Sequence, residues 1–165
     1  AFHRACNLPG TVVRFFNTVG PRQTGMYGMV IPRFVGRALA GEPLQVFGDG
    51  KQSRCFCHVF DVVRALRMLA GNSGSWGKIY NIGSQRSVTI GELAELVIAR
   101  TGSASAIEFV PYDQAYAKGF EDMRRRMPDT AAITALTGWR PELSLEQVID
   151  DVAASLRRVS AGGKE

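Results

Sequence analysis

Apolar positions change their spacing several times along the chain, and each change marks an element. Thr11 to Phe16 is a nearly continuous apolar run rich in β-branched and aromatic residues, the pattern of a strand buried on both faces in a parallel sheet. It stops at Asn17-Thr18-Val19-Gly20-Pro21, which is turn chemistry. Phe34, Val35, Ala38 and Leu39 then recur at helical spacing, predicting a helix from near Pro32 to a stop at Gly41. Leu44 to Phe47 and Cys55 to Phe60 read as strands. Asp61 is placed to cap a helix carrying Val62, Leu66 and Leu69. Ile79 to Gly83 reads as a strand closed by a glycine turn. Thr89-Ile90-Gly91-Glu92 is a capping box that opens a helix through Leu93, Leu96 and Val97, ended by Gly102. A strand follows at Ile107–Val110, then a charged loop over 113–128. Asp129 caps a short helix ending near Gly138. A second capping box, Ser144-Leu145-Glu146-Gln147, starts a helix with Leu145, Val148, Ile149, Val152 and Leu156 on one core-facing side. Residues 160–165 are expected to fray. Strands alternating with helices give an α/β class.

Composition narrows the function. A chain of 165 residues, 45% hydrophobic and 21% charged, suits a globular domain with a real core. No apolar run approaches the ~20 residues of a membrane span. Ala1-Phe2-His3-Arg4-Ala5-Cys6 has no apolar leader region and reads as a helix end, so the expectation is a cytoplasmic protein. The net charge is +5, densest at Arg124-Arg125-Arg126, but no nucleic-acid-binding signature accompanies it. Arginine scattered over loops suits a small phosphorylated ligand better. Cys6, Cys55 and Cys57 read as reduced, buried thiols. His3 and His58 carry no metal-ligand spacing, and His58, between Cys57 and Val59, reads as a hydrogen-bonded structural residue.

Several residues carry candidate chemistry. Asn17 follows a strand where the backbone turns, and its amide offers both donor and acceptor to a ligand rich in carbonyls and hydroxyls. The plainer alternative is an Asx turn. Phe47 offers a flat apolar face for a ring, with core packing as the alternative. Arg54 sits after Gly48-Asp49-Gly50, on a strand entering the core, where an unpaired charge is costly. Its fork of donors suits a diphosphate, and a buried ion pair is the other reading.

Arg14–Arg22, Gly48–Arg54 and Arg126-Met127-Pro128-Asp129 together resemble the substrate-binding half of the NAD-dependent nucleotide-sugar epimerases and dehydratases, the extended short-chain dehydrogenase/reductases. The resemblance runs from about residue 2 to 157. It implies remnants of a Rossmann sheet plus a small mixed α/β substrate-binding domain, with the whole of 1–165 a single C-terminal portion. It also implies that Asn17, Gln45, Phe47, Arg54, Arg126 and Asp129 face the nucleotide-sugar, and that Phe16, Thr18 and Arg22 face NAD. That family opens with a glycine-rich dinucleotide loop and carries a Tyr-x-x-x-Lys pair, neither of which is read in this chain. No catalytic residue is therefore assigned here, and the portion by itself is expected to be inactive. Parent activities rank as UDP-glucose 4-epimerase, closely followed by UDP-glucuronate decarboxylase, then dTDP-glucose 4,6-dehydratase. A non-catalytic nucleotide-sugar-binding or interaction module is the reading from another class. The partners implied are a UDP-sugar and further copies of the chain as a homo-oligomer, with neither nucleic acid nor membrane.

Overall fold

The computed structural model describes residues 2–25, 28–111 and 123–162. Their elements run α1 (Phe2–Cys6), β1 (Val12–Phe15), β2 (Thr18–Val19), α2 (Val30–Ala40), β3 (Leu44–Phe47), β4 (Ser53–Cys55), β5 (Cys57–His58), α3 (Val59–Ala70), a 3-10 turn (Ser73–Ser75), β6 (Ile79–Ile82), β7 (Ser87–Thr89), α4 (Ile90–Thr101), β8 (Ile107–Val110), β9 (Arg125–Arg126), α5 (Ala131–Thr137) and α6 (Leu145–Gly162). Short parallel pairs dominate. β1 lies on β6 with Val12 against Ile79, β2 on β5, and β3 on β8 with Phe47 against Val110. A three-stranded sheet, ordered β7-β4-β9, joins an antiparallel pair to a parallel one.

Two hydrophobic cores hold these pieces. In one, α2, α4 and α6 pack over β3 through Phe34, Val46, Leu93, Val97, Val148 and Ile149. Their apolar stripes face inward because each helix is amphipathic at helical period. In the other, α3 and α5 cover the β1–β6 pair through Val62, Leu69, Tyr80, Ile82, Ile133 and Trp139. The opposite face of that pair, with Arg14 and Asn81 beside Val12 and Ile79, is open, Val12 being 55% and Ile79 52% exposed, so the strand expected to be buried on both faces is covered on only one.

Local chemistry sets the boundaries. Gly41, Gly102 and Gly138 end α2, α4 and α5 in the left-handed conformation. Both capping boxes form: Thr89 Oγ1 accepts from the Glu92 amide while the Glu92 carboxylate accepts from Thr89 N–H, and Ser144 and Gln147 do the same reciprocally. α6 continues to Gly162, past the point where fraying is expected.

Three expectations are corrected. The predicted strand Cys55–Phe60 is two short strands and the first turn of α3. The chain changes sheet at Phe56, β4 pairing with β7 and β9 while β5 pairs with β2. α3 is capped by His58, whose Nδ1 accepts from Phe60 N–H at 3.1 Å, and not by Asp61. The Asp61 carboxylate is drawn instead into the core, where it accepts from the Glu142 and Leu143 amides at 3.0 and 2.9 Å and from Arg64 at 2.8 Å. Cys55 and Cys57 are buried as expected, but Cys6 is exposed at the end of the short α1, which has too few contacts to cover it. Burial, reinforced by the neighbouring Asp61 charge, pushes the Cys57 thiol up to about 12.

His58 is a structural histidine. It is wholly buried, and with Nδ1 accepting from the helix, Nε2 carries the proton toward Asp151 Oδ2 at 3.2 Å. That contact sets a neutral ring N–H toward a carboxylate between β5 and α6, its geometry falling outside hydrogen-bond limits.

Candidate functional site

A cavity of about 590 Å³ opens where the carboxyl ends of β1 and β3 meet β4, β9 and the start of α2. Ligands gather at such strand ends in open α/β sheets, because the loops leaving them can be shaped without disturbing the core. The volume lies within the ~300–1,000 Å³ of small-molecule sites.

Its cationic wall comes from strand register. Ser53 and Arg54 of β4 pair in parallel with Arg125 and Arg126 of β9, so Arg54 and Arg126 are direct cross-strand partners. Partners in register leave the sheet on the same side, and both arginines line the cavity. Arg54 Nη1 donates to the carbonyls of Ser53 and Met123 at 2.8 and 2.7 Å. The Arg126 guanidinium lies 5.3 Å from the centre of the Phe16 ring and makes no ion pair among the described residues. Two adjacent guanidinium groups repel one another unless an anion lies between them, and forked donors match phosphate oxygens.

The flat wall is Phe47, at the end of β3. Arg33, from the first turn of α2, lays its guanidinium 4.4 Å from the Phe47 ring centre and donates to the Gln45 carbonyl at 3.1 Å. Such stacking is favourable through the ring quadrupole, and it holds the ring's orientation. The floor between the walls is apolar, from Phe56, Val62 and Ile90.

Asn17 takes the left-handed conformation, φ 37°, at the turn out of β1. Its Nδ2 donates to the Cys55 carbonyl at 2.8 Å, and its own carbonyl accepts from Cys57 N–H at 3.1 Å. Asn17 thus clamps β1 to β4 and β5 while also lining the cavity. Gly83 brings the third segment in. A Cβ there would meet Phe16 Cβ at 2.8 Å and Pro128 Cγ at 3.0 Å, so only glycine lets the ends of β1 and β6 close on the 126–129 segment.

Of the nine residues singled out from sequence, Asn17, Thr18, Phe47, Arg54 and Arg126 line this cavity and four do not. Gln45 turns its amide oxygen to Arg37 Nη1 at 3.2 Å. Asp129 lies one residue before the N-cap of α5, which is Thr130, though its Oδ1 accepts from the first helical amide, Ala131 N–H, at 2.9 Å. Phe16 sits beneath Arg126. Arg22 is exposed at φ 67°, its amide donating to Ser155 Oγ. Gln23, Arg33 and Gln52 line the cavity and were not singled out, although Gln52 lies within the Gly48–Arg54 segment. Only folding brings Gln23 and Arg33 to the same cavity as β4.

The sequence does contain one Gly-x-x-Gly-x-x-Gly spacing, Gly71-Asn72-Ser73-Gly74-Ser75-Trp76-Gly77. It runs from α3 through the 3-10 turn toward β6. A dinucleotide loop runs from strand to helix so that phosphate meets the helix N-terminus, and this connection has the reverse order. The residues present therefore offer no dinucleotide phosphate cradle among those described, and Thr18 is the one expected cofactor residue in the cavity wall.

The chain matches the NAD dependent epimerase/dehydratase family over residues 1–83. It is 40% identical to the UDP-N-acetyl-alpha-D-glucosaminuronate decarboxylase of Bacillus cytotoxicus, over 92% of this chain and 47% of that protein. Among solved structures, the UDP-glucose 4-epimerase of Thermotoga maritima with UDP-glucose superposes with a TM-score of 0.85 at 32% identity, over 96% of this chain and 49% of the other. The dTDP-glucose 4,6-dehydratase of Bacillus anthracis, in complex with NAD, gives 0.82 at 27% identity, over 97% and 48%. The chain spans about half the length of each of these proteins. Similarity in sequence over the first half and in fold over nearly the whole chain agree: the protein belongs to the NAD dependent epimerase/dehydratase family.

Proposed function

We propose that the cavity binds a nucleoside-diphosphate sugar, a UDP-sugar in the first instance. The base lies against the Phe47–Arg33 wall, the diphosphate spans Arg54 and Arg126, and the sugar extends toward Asn17 and Thr18. The observation that carries this reading is the register pairing of Arg54 with Arg126 on one face of the β4–β9 pair, with an aromatic wall beside it. For the reaction of the longer proteins this chain resembles, we place UDP-hexuronate decarboxylation ahead of 4-epimerisation, because identity is 40% to a decarboxylase and 32% to an epimerase. The family's NAD supplies hydride transfer at the sugar when bound. This chain lacks a Tyr-x-x-x-Lys pair in its 165 residues, so binding without turnover is the function proposed for it alone.

Calorimetric titration tests the binding. UDP is expected to bind the chain, and uridine to bind at least tenfold more weakly, since charge-assisted hydrogen bonds contribute about 1.5–3 kcal/mol each. Arg54→Ala and Arg126→Ala each weaken UDP binding by about tenfold or more, while Arg124→Ala, outside the cavity wall, changes it little. Equal affinity for uridine and UDP overturns the proposal, as does unaltered UDP binding in both variants.

A further inference from the structure

The strand pair β1–β6 ends in an open edge. Val12 N–H donates to the Lys78 carbonyl and Phe16 N–H to the Ile82 carbonyl, both at 3.0 Å, so the backbone groups of Val12, Arg14 and Phe16 point toward β6. By the alternation of a strand, the N–H and carbonyl groups of Val13 and Phe15 point the other way. No strand pairs with β1 on that side among the described residues. A free edge of this kind is a template for another strand, and natural edges are commonly blocked by proline, lysine or a bulge. Val12-Val13-Arg14-Phe15 holds neither proline nor lysine. The open face beside the edge adds Val12 and Ile79, each more than half exposed.

We infer that β1 pairs antiparallel with β1 of a second copy of this chain, giving a four-stranded sheet ordered β6-β1-β1-β6. The register follows from which residues can face one another. A two-fold axis normal to the sheet keeps the helix-covered sides of both copies on one face, so residues that point to the same face must meet. For a strand of 12–15 the axis then passes through Val13 or through Arg14. Through Arg14, two guanidinium-bearing residues stand directly opposite, and like charges so placed destabilise a strand pair. Through Val13, Val13 exchanges both backbone bonds with Val13 of the second copy, and Arg14 stands opposite Val12 on the open face. That register sets no charge against its like and lays the aliphatic stem of each arginine beside an exposed valine. It also joins the two inner faces, where Val13 already packs against the core of Tyr80, Ile82 and Trp139. Pairing of this isologous kind closes at two copies.

Sedimentation equilibrium of the 165-residue chain over a range of concentrations tests the pairing. The unmodified chain is expected to show a reversible monomer–dimer equilibrium. Val12 is exposed, so substitution there leaves both cores alone and reads the register. Val12→Lys sets a lysine against Arg14 at two symmetric places and is expected to weaken the dimer by about 2- to 30-fold, the worth of two cross-strand charge pairs. Val12→Glu is expected to tighten it by a similar factor, and added salt to shrink both shifts. Val13→Pro removes the donor at the two-fold axis while sparing the amides that bond to β6, and is expected to leave a monomer. Where that variant fails to fold, the two Val12 substitutions decide alone. A chain that is monomeric at every concentration overturns the inference. A dimer indifferent to both Val12 substitutions, or one that survives in a folded Val13→Pro chain, assembles through another surface and overturns it equally. Growth beyond the dimer would mean that β1 meets the outer edge of β6 in an open-ended series, which overturns the two-fold register.

Discussion

Replacing Asp61 by Asn is the most informative stability experiment on this fold. The carboxylate is 2% exposed and surrounded only by donors: two backbone amides from the 142–143 turn and the Arg64 guanidinium. An asparagine of the same shape must aim its NH₂ group at one of those donors whichever way it is turned. Each charge-assisted hydrogen bond contributes about 1.5–3 kcal/mol. Arg64 deserves a discount, because it is partly exposed and also pairs with Glu142 and the Arg140 carbonyl. Both amides share Oδ2, so the asparagine oxygen turned toward them keeps their bonds and its NH₂ faces Arg64; the charge on those bonds and the Arg64 contact are lost, about 1.5–3 kcal/mol. For a chain of this size that corresponds to a fall in Tm of roughly 3–12 °C. Urea denaturation followed by tryptophan fluorescence reads it directly, since Trp139 is fully buried and its Nε1 donates to the Asp61 carbonyl at 3.0 Å. An intact m-value with a loss under about 1 kcal/mol would refute the reasoning, since it would mean that the carboxylate charge and its Arg64 contact add little.

Further outcomes are open to measurement. Ellman titration of the native chain at pH 8 should detect one thiol, Cys6, with Cys55 and Cys57 reacting only on unfolding, because both are buried and the Cys57 thiol lies near 12. A second fast-reacting thiol would contradict the burial. Arg86 grips Glu146 with two hydrogen bonds of 2.8 Å and holds its carboxyl down at about 2. The stability this pair gives is present above the ordinary carboxylate range and is lost as pH falls from about 4.5 to 2. Arg86→Met should remove that acid-sensitive component and leave stability below about pH 2 almost unchanged; the pair is solvent-exposed, so added salt should weaken the same component. Gly83→Ala should both destabilise the chain and weaken UDP binding, since its Cβ would push Phe16 and Pro128 apart beneath Arg126. Stability lost with UDP affinity retained would show that the two segments do not position Arg126.

Much of the fold was legible from local pattern, because local physics decides it. The capping boxes at Thr89 and Ser144 form as read, since their partners lie three residues away in sequence. The stops at Gly41, Gly102 and Gly138 follow from glycine's access to the left-handed region. Arg54, Phe47 and Asn17 were legible for a different reason: motif spacing around strand ends identifies residues that leave the core with chemistry attached. What the sequence could not decide was anything set by distant partners. Asp61 looks like a helix cap until the 142–143 amides, some eighty residues on, claim its carboxylate. The two-residue strand β9 has no periodicity to read and exists because β4 offers it an edge. Arg126 becomes half of a cation pair only through that register. The amides of Gln23 and Gln52 donate to carbonyls only five residues away, at Thr18 and Phe47, but folding alone brings both residues to the same cavity. Short-range chemistry fixes where elements begin and end; which side chains face one another depends on contacts between segments far apart in the chain, and those are settled when the two cores close.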